Sequence, residues 1–203
     1  NADGAWEVFA IDVDLDGDVD VLSAANVGDE IAWYENNGSQ SFTKRVITTS
    51  ADVARGVFAV DLDQDGDIDV LSASEDDNKI AWYENNGSQS FTAHTITTNA
   101  EDAWDVYAID MDNDGDMDVV SSNYSGRNVS WYQNDGSENF TLYYIANSSE
   151  VALDARSIYA KDLDKDGDVD VITAFANNDK VVWYKSSVDD TAPTISSASL
   201  ASD

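Results

Sequence analysis

The chain has 203 residues, 42% of them apolar, with six Trp, nine Tyr and six Phe but only one Pro and eleven Gly. That is ample material for a packed core and excludes a collagen-like or linker-dominated chain. Ten Lys and Arg against 41 Asp and Glu give a formal charge of −31, a field that repels phosphate backbones and attracts cations, so nucleic acid is not an expected partner. With no Cys, disulfides, thiolate metal sites and cysteine nucleophiles are excluded. No apolar run is long enough to span a bilayer, so membrane insertion is not expected. The N-terminus shows no basic-then-apolar leader, and the chain reads as mature or as a piece of something longer.

In chain order, the first unit opens with Val8, Phe9, Ala10 and Ile11, a β-branched and aromatic run leading into an acidic loop, DVDLDGDVD, from Asp12 to Asp20. Strand-like stretches follow at Val19 to Ala24, Ile31 to Glu35 and Phe42 to Thr48, the last two separated by Asn37-Gly38, a pair suited to a tight hairpin in which both residues take positive φ. The second unit repeats this from Val57, and Ile80 to Thr92 copies the IAWYENNGSQSFT of Ile31 to Thr43 letter for letter. The third carries VSWYQNDGSENFT from Val129, and the fourth begins VVWYKSS at Val181 and then stops. Acidic loops start at Asp12, Asp61, Asp110 and Asp162, each 21 residues before the Trp of a Trp-Tyr pair, so one whole unit has been copied.

Four short strands per unit and no sustained helical period predict an all-β chain, a β-propeller of four-stranded antiparallel blades with four repeats. The blades are expected at about 1–50, 51–99, 100–150 and 151–188. The tail 189–203, which carries the one proline, reads as a junction toward a further module. A frayed end, or a strand lent to the fourth blade through Thr194 to Leu200, are the alternatives.

The acidic loops read as metal sites. In the first, Asp12, Asp14, Asp16 and Asp20 offer carboxylates and Asp18 a backbone carbonyl, around a turn eased by Gly17. The same set recurs as Asp61, Asp63, Asp65, Asp67 and Asp69, as Asp110, Asp112, Asp114, Asp116 and Asp118, and as Asp162, Asp164, Asp166, Asp168 and Asp170. Oxygen donors alone, in this number, suit calcium rather than magnesium or a softer metal, and about four structural ions per chain are expected. The twelfth positions, where a helical calcium loop needs Glu, hold Ser23, Ser72, Ser121 and Thr173, so the site is of strand-loop-strand type.

Six residues before each loop stand Trp6, Arg55, Trp104 and Arg156, predicted to ring the channel mouth opposite the acidic loops. Two readings stay open there: a mouth for an anionic glycan or peptide side chain, or Arg-over-Trp packing between blades. The Trp-Tyr pairs read as core. Loops after the second strand differ between copies, with Tyr124 and Phe175 as exposed-aromatic candidates, and His94 reads as a strand-surface residue. No nucleophile elbow, zinc helix motif or phosphate-cradling loop occurs, and no catalytic residue is assigned.

The acidic motif, its period and the WYENNGSQSFT segment resemble the FG-GAP and VCBS repeats, known best from integrin alpha-subunit propellers. The resemblance spans about residues 1–188 and implies calcium bound between the first two strands of each blade. Propellers of that family commonly have seven blades, whereas four loops are present here. A four-blade ring, a segment of a larger ring and a homodimer making eight blades all remain open. The expected function is a secreted or cell-surface, calcium-binding adhesion or recognition module for an extracellular protein or carbohydrate, and the alternative is part of a propeller-based polysaccharide lyase or hydrolase.

Overall fold

The computed structural model describes residues 2–147, 154–177 and 179–186, and the backbone of 196–199. Blade 1 comprises β1 (Ala5–Ile11), β2 (Asp20–Ala25), β3 (Glu30–Asn36) and β4 (Phe42–Thr48), and blade 2 comprises β5 (Ala54–Val60), β6 (Asp69–Ser74), β7 (Lys79–Asn85) and β8 (Phe91–Thr97). Blade 3 runs through β9 (Ala103–Ile109), β10 (Asp118–Asn123), β11 (Asn128–Asn134) and β12 (Phe140–Asn147). Blade 4 runs through β13 (Ala155–Lys161), β14 (Asp170–Phe175), β15 (Lys180–Lys185) and β16 (Ser196–Ser199). Each blade is an antiparallel meander in chain order, so the four sheets form the blades of a β-propeller. The fourth strand of blade 4 comes from the tail, where Lys185 pairs with Ser196 and Val182 with Ser199. The rest of 189–203 lies outside the described residues.

Alternation along β3, β7, β11 and β15 explains the Trp-Tyr pairs, because neighbouring side chains on a strand point to opposite faces. Trp33 of blade 1 shares a core with Val57, Val70 and Tyr83 of blade 2. Trp82 of blade 2 shares one with Val106, Val119 and Tyr132 of blade 3, and Trp131 of blade 3 with Ile158, Val171 and Tyr184 of blade 4. Every junction is therefore a Trp from the leading blade set against the Tyr of the next. Truncating one of these buried Trp side chains to Ala is worth about 3–5 kcal/mol.

Two regular irregularities shape each blade. A bulge where β4, β8 and β12 pair with their neighbours skips Ile47, Ile96 and Ile145 in the register, and these three side chains pack against the interblade cores. The loop after β3 is not the two-residue turn expected from Asn37-Gly38. Gly38 and Gln40 take positive φ but Asn37 does not, and its Oδ1 instead accepts from Ser39 N (3.0 Å) and Ser41 N (3.3 Å). The Asn side chain closes the loop as an Asx turn, a role its short carboxamide favours.

Candidate metal centres and the mouth of the propeller

The sequence between the inner strand and the second strand of each blade takes the same backbone turn four times. The fourth residue of the loop, Leu15, Gln64, Asn113 or Lys165, takes a left-handed φ of 58° to 64°, and the glycine two places on takes 97° to 102°. A Cβ on Gly17, Gly66, Gly115 or Gly167 would meet nothing within 4 Å, so backbone conformation rather than space requires glycine there. This folding-back brings carboxylate oxygens of Asp12, Asp14 and Asp20 within 4.8 Å of one another, and likewise Asp61, Asp63 and Asp69, then Asp110, Asp112 and Asp118, then Asp162, Asp164 and Asp170. Asp16 and Asp18, with their counterparts Asp65, Asp67, Asp114, Asp116, Asp166 and Asp168, are not members of those groups. Asp16 Oδ1 accepts from Asp18 N at 2.9 Å and so shapes the turn.

The last aspartate of each loop is the buried anchor. Asp69 is fully buried, its Oδ2 accepting from Leu62 N (3.0 Å) and its Oδ1 from Asn85 N (2.8 Å), which ties the loop to the start of β6 and the end of β7. Asp20, Asp118 and Asp170 repeat both bonds. Burial pushes the Asp69 and Asp118 carboxyls up to about 7, although two backbone N–H donors pull each of them down. Asp14, Asp63 and Asp112 are also raised, first by desolvation and with neighbouring carboxylates adding to it.

Whether these loops suit a cation is decided by oxygens left over. Asp14 Oδ1, Asp61 Oδ1 and Asp112 Oδ1 are buried with no hydrogen-bond partner, each inside one of the three-carboxylate groups of blades 1 to 3. A lone buried carboxylate oxygen beside two others is costly unless a positive charge answers it, and a hard divalent cation is the group that fits an all-oxygen set. Blade 4 differs. Lys185 stands where blades 1 to 3 have Glu35, Glu84 and Gln133, and its ammonium donates to Asp164 and to Asp166 (2.8 Å). The Lys185 ammonium holds the Asp166 carboxyl below its ordinary range.

At the opposite end of the inner strands the register of each blade skips one residue. Glu7 pairs with Ala24 and Ala5 with Ala25, leaving out Trp6, and the same irregularity leaves out Arg55, Trp104 and Arg156. A bulge re-aims the side chain it frees. The four residues read from the sequence as a ring are thereby gathered into one file. The Arg55 guanidinium lies 4.1 Å from the Trp6 ring and 4.8 Å from the Trp104 ring, and Arg156 lies 4.4 Å from Trp104 and 5.2 Å from Tyr124. Arg55 also pairs with Glu75, whereas Arg156 meets no carboxylate in ion-pair range among the described residues.

Glu7, Asp105 and Ser157 complete the wall of a recess of about 150 Å³ with these four. Sequence reasoning passed over them, although they stand one residue after the ring positions of blades 1, 3 and 4, where blade 2 has Gly56. The two carboxylates reach the next blade: Glu7 Oε2 accepts from Val57 N (2.9 Å) and Asp105 Oδ2 from Ile158 N (2.8 Å). Desolvation raises Glu7 to about 7, with Asp105 adding to it, and raises Asp105 to about 6. A Cβ on Gly56 would sit 3.0 Å from Asp105 Cα, so only glycine admits blade 3 this closely. A second unread feature is the aromatic file Phe9, Phe58, Tyr107 and Tyr159, adjacent rings 4.4 to 5.3 Å apart, standing three residues before each acidic loop.

Of the two loop aromatics expected to be exposed, Tyr124 is half-buried against Trp104. Phe175 is a correction: it is 2% exposed and belongs to the core between blades 3 and 4, because it is the last residue of β14 rather than part of the loop. His94 lies on β8, stacked 4.6 Å from Trp82 and 2.7 Å from Glu84.

The FG-GAP-like repeat family model matches residues 12–72, 61–121 and 110–173, each match running from one acidic loop into the next unit. The chain belongs to this family. No curated protein sequence matches it. Among solved structures this FG-GAP-like chain is similar to an Agrocybe aegerita lectin that recognises non-reducing terminal N-acetylglucosamine, at 16% identity and a TM-score of 0.57, over 87% of this chain and 49% of that one. It is similar to the V. cholerae biofilm matrix protein Bap1 at 19% identity and a TM-score of 0.56, over 88% and 26% of the two chains. A putative 6-phosphogluconolactonase from Bacteroides uniformis shares the fold at 13% identity and a TM-score of 0.62, over 93% and 52%. The chain thus spans about half, or less, of each of these proteins.

Proposed function

We propose that this chain is a calcium-stabilised, extracellular recognition propeller whose mouth takes an anionic glycan. The observation that carries the reading is Arg156. It is an exposed guanidinium laid against the rings of Trp104 and Tyr124 with no carboxylate in ion-pair range among the described residues, in a chain whose charge is −31. An unpaired Arg fork recognises a carboxylate or sulfate in bidentate fashion, and an indole face beside it stacks on a sugar ring. Trp6, Arg55 and Trp104 share the wall with it, beside Glu7, Asp105 and Ser157. A lectin and a biofilm matrix protein among the structural neighbours accord with recognition, and among the described residues no helix is long and apolar enough to cross a membrane.

Calcium enters as a structural ion. The loops would hold it through Asp12, Asp14 and Asp20 and their counterparts, neutralising crowded carboxylates at the first turn of a blade. Sites of this kind in extracellular modules have dissociation constants of about 0.1–1 mM and fill where calcium is abundant, which supports an outside location.

Calorimetric titration with uronic-acid oligosaccharides and with neutral N-acetylglucosamine oligomers, in calcium, tests the mouth. Binding of the acidic sugar that drops at least tenfold in Arg156→Ala is the expected result. Equal or absent binding of both sugars, or binding untouched by Arg156→Ala, overturns the reading.

A further inference from the structure

Every blade presents two unlike apolar faces, and the three internal junctions show what each face takes. The leading face, with its Trp, is covered by the next blade, and the following face, with its Tyr, is covered by the blade before. Both end blades carry the same faces uncovered. On blade 1, Val8 stands where blades 2 to 4 have Val57, Val106 and Ile158, and it is 66% exposed where those are 2%, 2% and 5%. Val8, Val21, Tyr34, Phe42, Ala2 and Ala5 wall an apolar groove of about 370 Å³. On blade 4, Leu163 and Val181 stand where blade 1 has Val13 and Ile31, and they are 39% and 42% exposed where those are 1% and 0%.

The polar pattern matches as well. Asp29 accepts from Ala51 N through its carbonyl and from Val53 N through Oδ1 (3.0 Å), and Asn78 does the same for Ala100 and Asp102. Asp179 occupies that position on blade 4, exposed and with the same left-handed φ of 51°, and the residues matching its donors are Ala2 and Gly4 of blade 1. Arg55 is held between two indoles, Trp6 and Trp104, whereas Arg156 has an indole on the blade 3 side only. The Trp, Arg, Trp, Arg order calls for a Trp-type blade after blade 4, and blade 1 is of that type.

We propose that a second copy of this chain supplies the missing cover: blade 4 of each copy docks on blade 1 of the other, closing an eight-bladed ring about a two-fold axis. The two faces are complementary by construction, since each internal junction is the same pair joined, and head-to-tail contacts that close make a finite assembly. Closure within one chain does not account for the faces. The inner strands pack β1 on β5, β5 on β9 and β9 on β13, no comparable packing joins β13 to β1 among the described residues, and Val8 and Tyr159 stay 66% and 44% exposed. Four blades also superpose on 49% and 52% of the lectin and lactonase chains, so a propeller of that size takes about two copies.

Sedimentation equilibrium and light scattering of the chain in calcium, across a range of concentrations, are expected to give twice the 22.0 kDa of one chain. Val8→Asp should halve that mass while Leu142→Asp, on the exposed outer strand of blade 3, leaves it unchanged. Should Val8→Asp fail to fold, a Phe9→Cys/Tyr159→Cys variant keeps the question open to test, because the chain has no other cysteine. A short bis-maleimide should join it into covalent two-chain species. A one-chain mass at every concentration, a crosslink within one chain, or an open ladder of higher masses would each overturn the proposal, the first in favour of further blades on a longer polypeptide.

Discussion

Lys185 Nζ lies 2.8 Å from Asp166 Oδ2 and donates also to Asp164, so the acidic loop of blade 4 already contains a cation of its own. In blades 1 and 2 the same position is Glu35 and Glu84, which adds to the negative field. A divalent ion entering blade 4 must displace the ammonium or share the site with it. Calorimetry should therefore resolve three calcium ions of similar affinity and a fourth at least tenfold weaker, and Lys185→Glu should bring the fourth into line with the others. Four equivalent sites in the unaltered chain would show that Lys185 swings aside without cost.

Asp69 lets one side chain do the work of a clamp. It is fully buried, and it satisfies Leu62 N at the loop's start and Asn85 N at the end of β7. Asp69→Ala strands two buried N–H groups and opens space beneath the loop, at a cost of about 2–4 kcal/mol. Urea unfolding in calcium and in chelator should show this loss in both, since the two backbone bonds do not depend on a bound ion. A loss seen only in calcium would mean that Asp69 acts as a metal ligand alone.

Much of this was legible in the sequence, and the reasons it was legible mark where legibility ends. A strict repeat prints its architecture in the spacing, so the four blades, the acidic loops and the core role of Trp33, Trp82 and Trp131 follow from the shared period of the acidic loops and the Trp-Tyr segments. The register bulges at Trp6, Arg55, Trp104 and Arg156 leave no local mark, because a skipped residue is defined by its partner strand. Spacing made four loop carboxylates and the Asp18 carbonyl candidates, and it is backbone curvature through Leu15 and Gly17 that brings the carboxylates of Asp12, Asp14 and Asp20 together. Lys185 was visible as a departure within WYKSS, yet its reach back to Asp164 and Asp166 depends on the β14–β15 hairpin.

Gly66 and Gly28 separate backbone from space. Gly66 sits at φ +100° with nothing near a built Cβ, whereas Gly28 has ordinary φ and contacts at 3.7 Å. Gly66→Ala should cost about 1–2 kcal/mol through backbone conformation alone, and Gly28→Ala should stay within about 0.5 kcal/mol of neutral or stabilise slightly. Thermal melts of the two variants in calcium check the contrast. Equal effects would mean that the loop relaxes to a conformation alanine tolerates.

Glu7 gives the mouth a pH dependence whose sign is fixed by its burial. Desolvation raises its carboxyl from 4.5 to about 7, Asp105 pushes in the same direction, and the Val57 N–H only partly offsets them. A carboxyl raised on folding favours the folded state below its unfolded value, and that advantage is lost as pH rises through about 7. Between pH 5 and neutrality, with partial solvent access discounted, Glu7 should therefore cost the fold about 1–2 kcal/mol. Glu7→Gln keeps an oxygen for Val57 N and removes the charge, so its stability relative to the unaltered chain should improve steadily as pH rises over that range. Urea midpoints of both proteins at matched pH and saturating calcium measure the difference, which cancels the titration of carboxylates that do not interact with Glu7. A difference that stays flat with pH would mean that Glu7 is ionised in the folded protein at pH 5 and that its hydrogen bond, not its burial, governs the site.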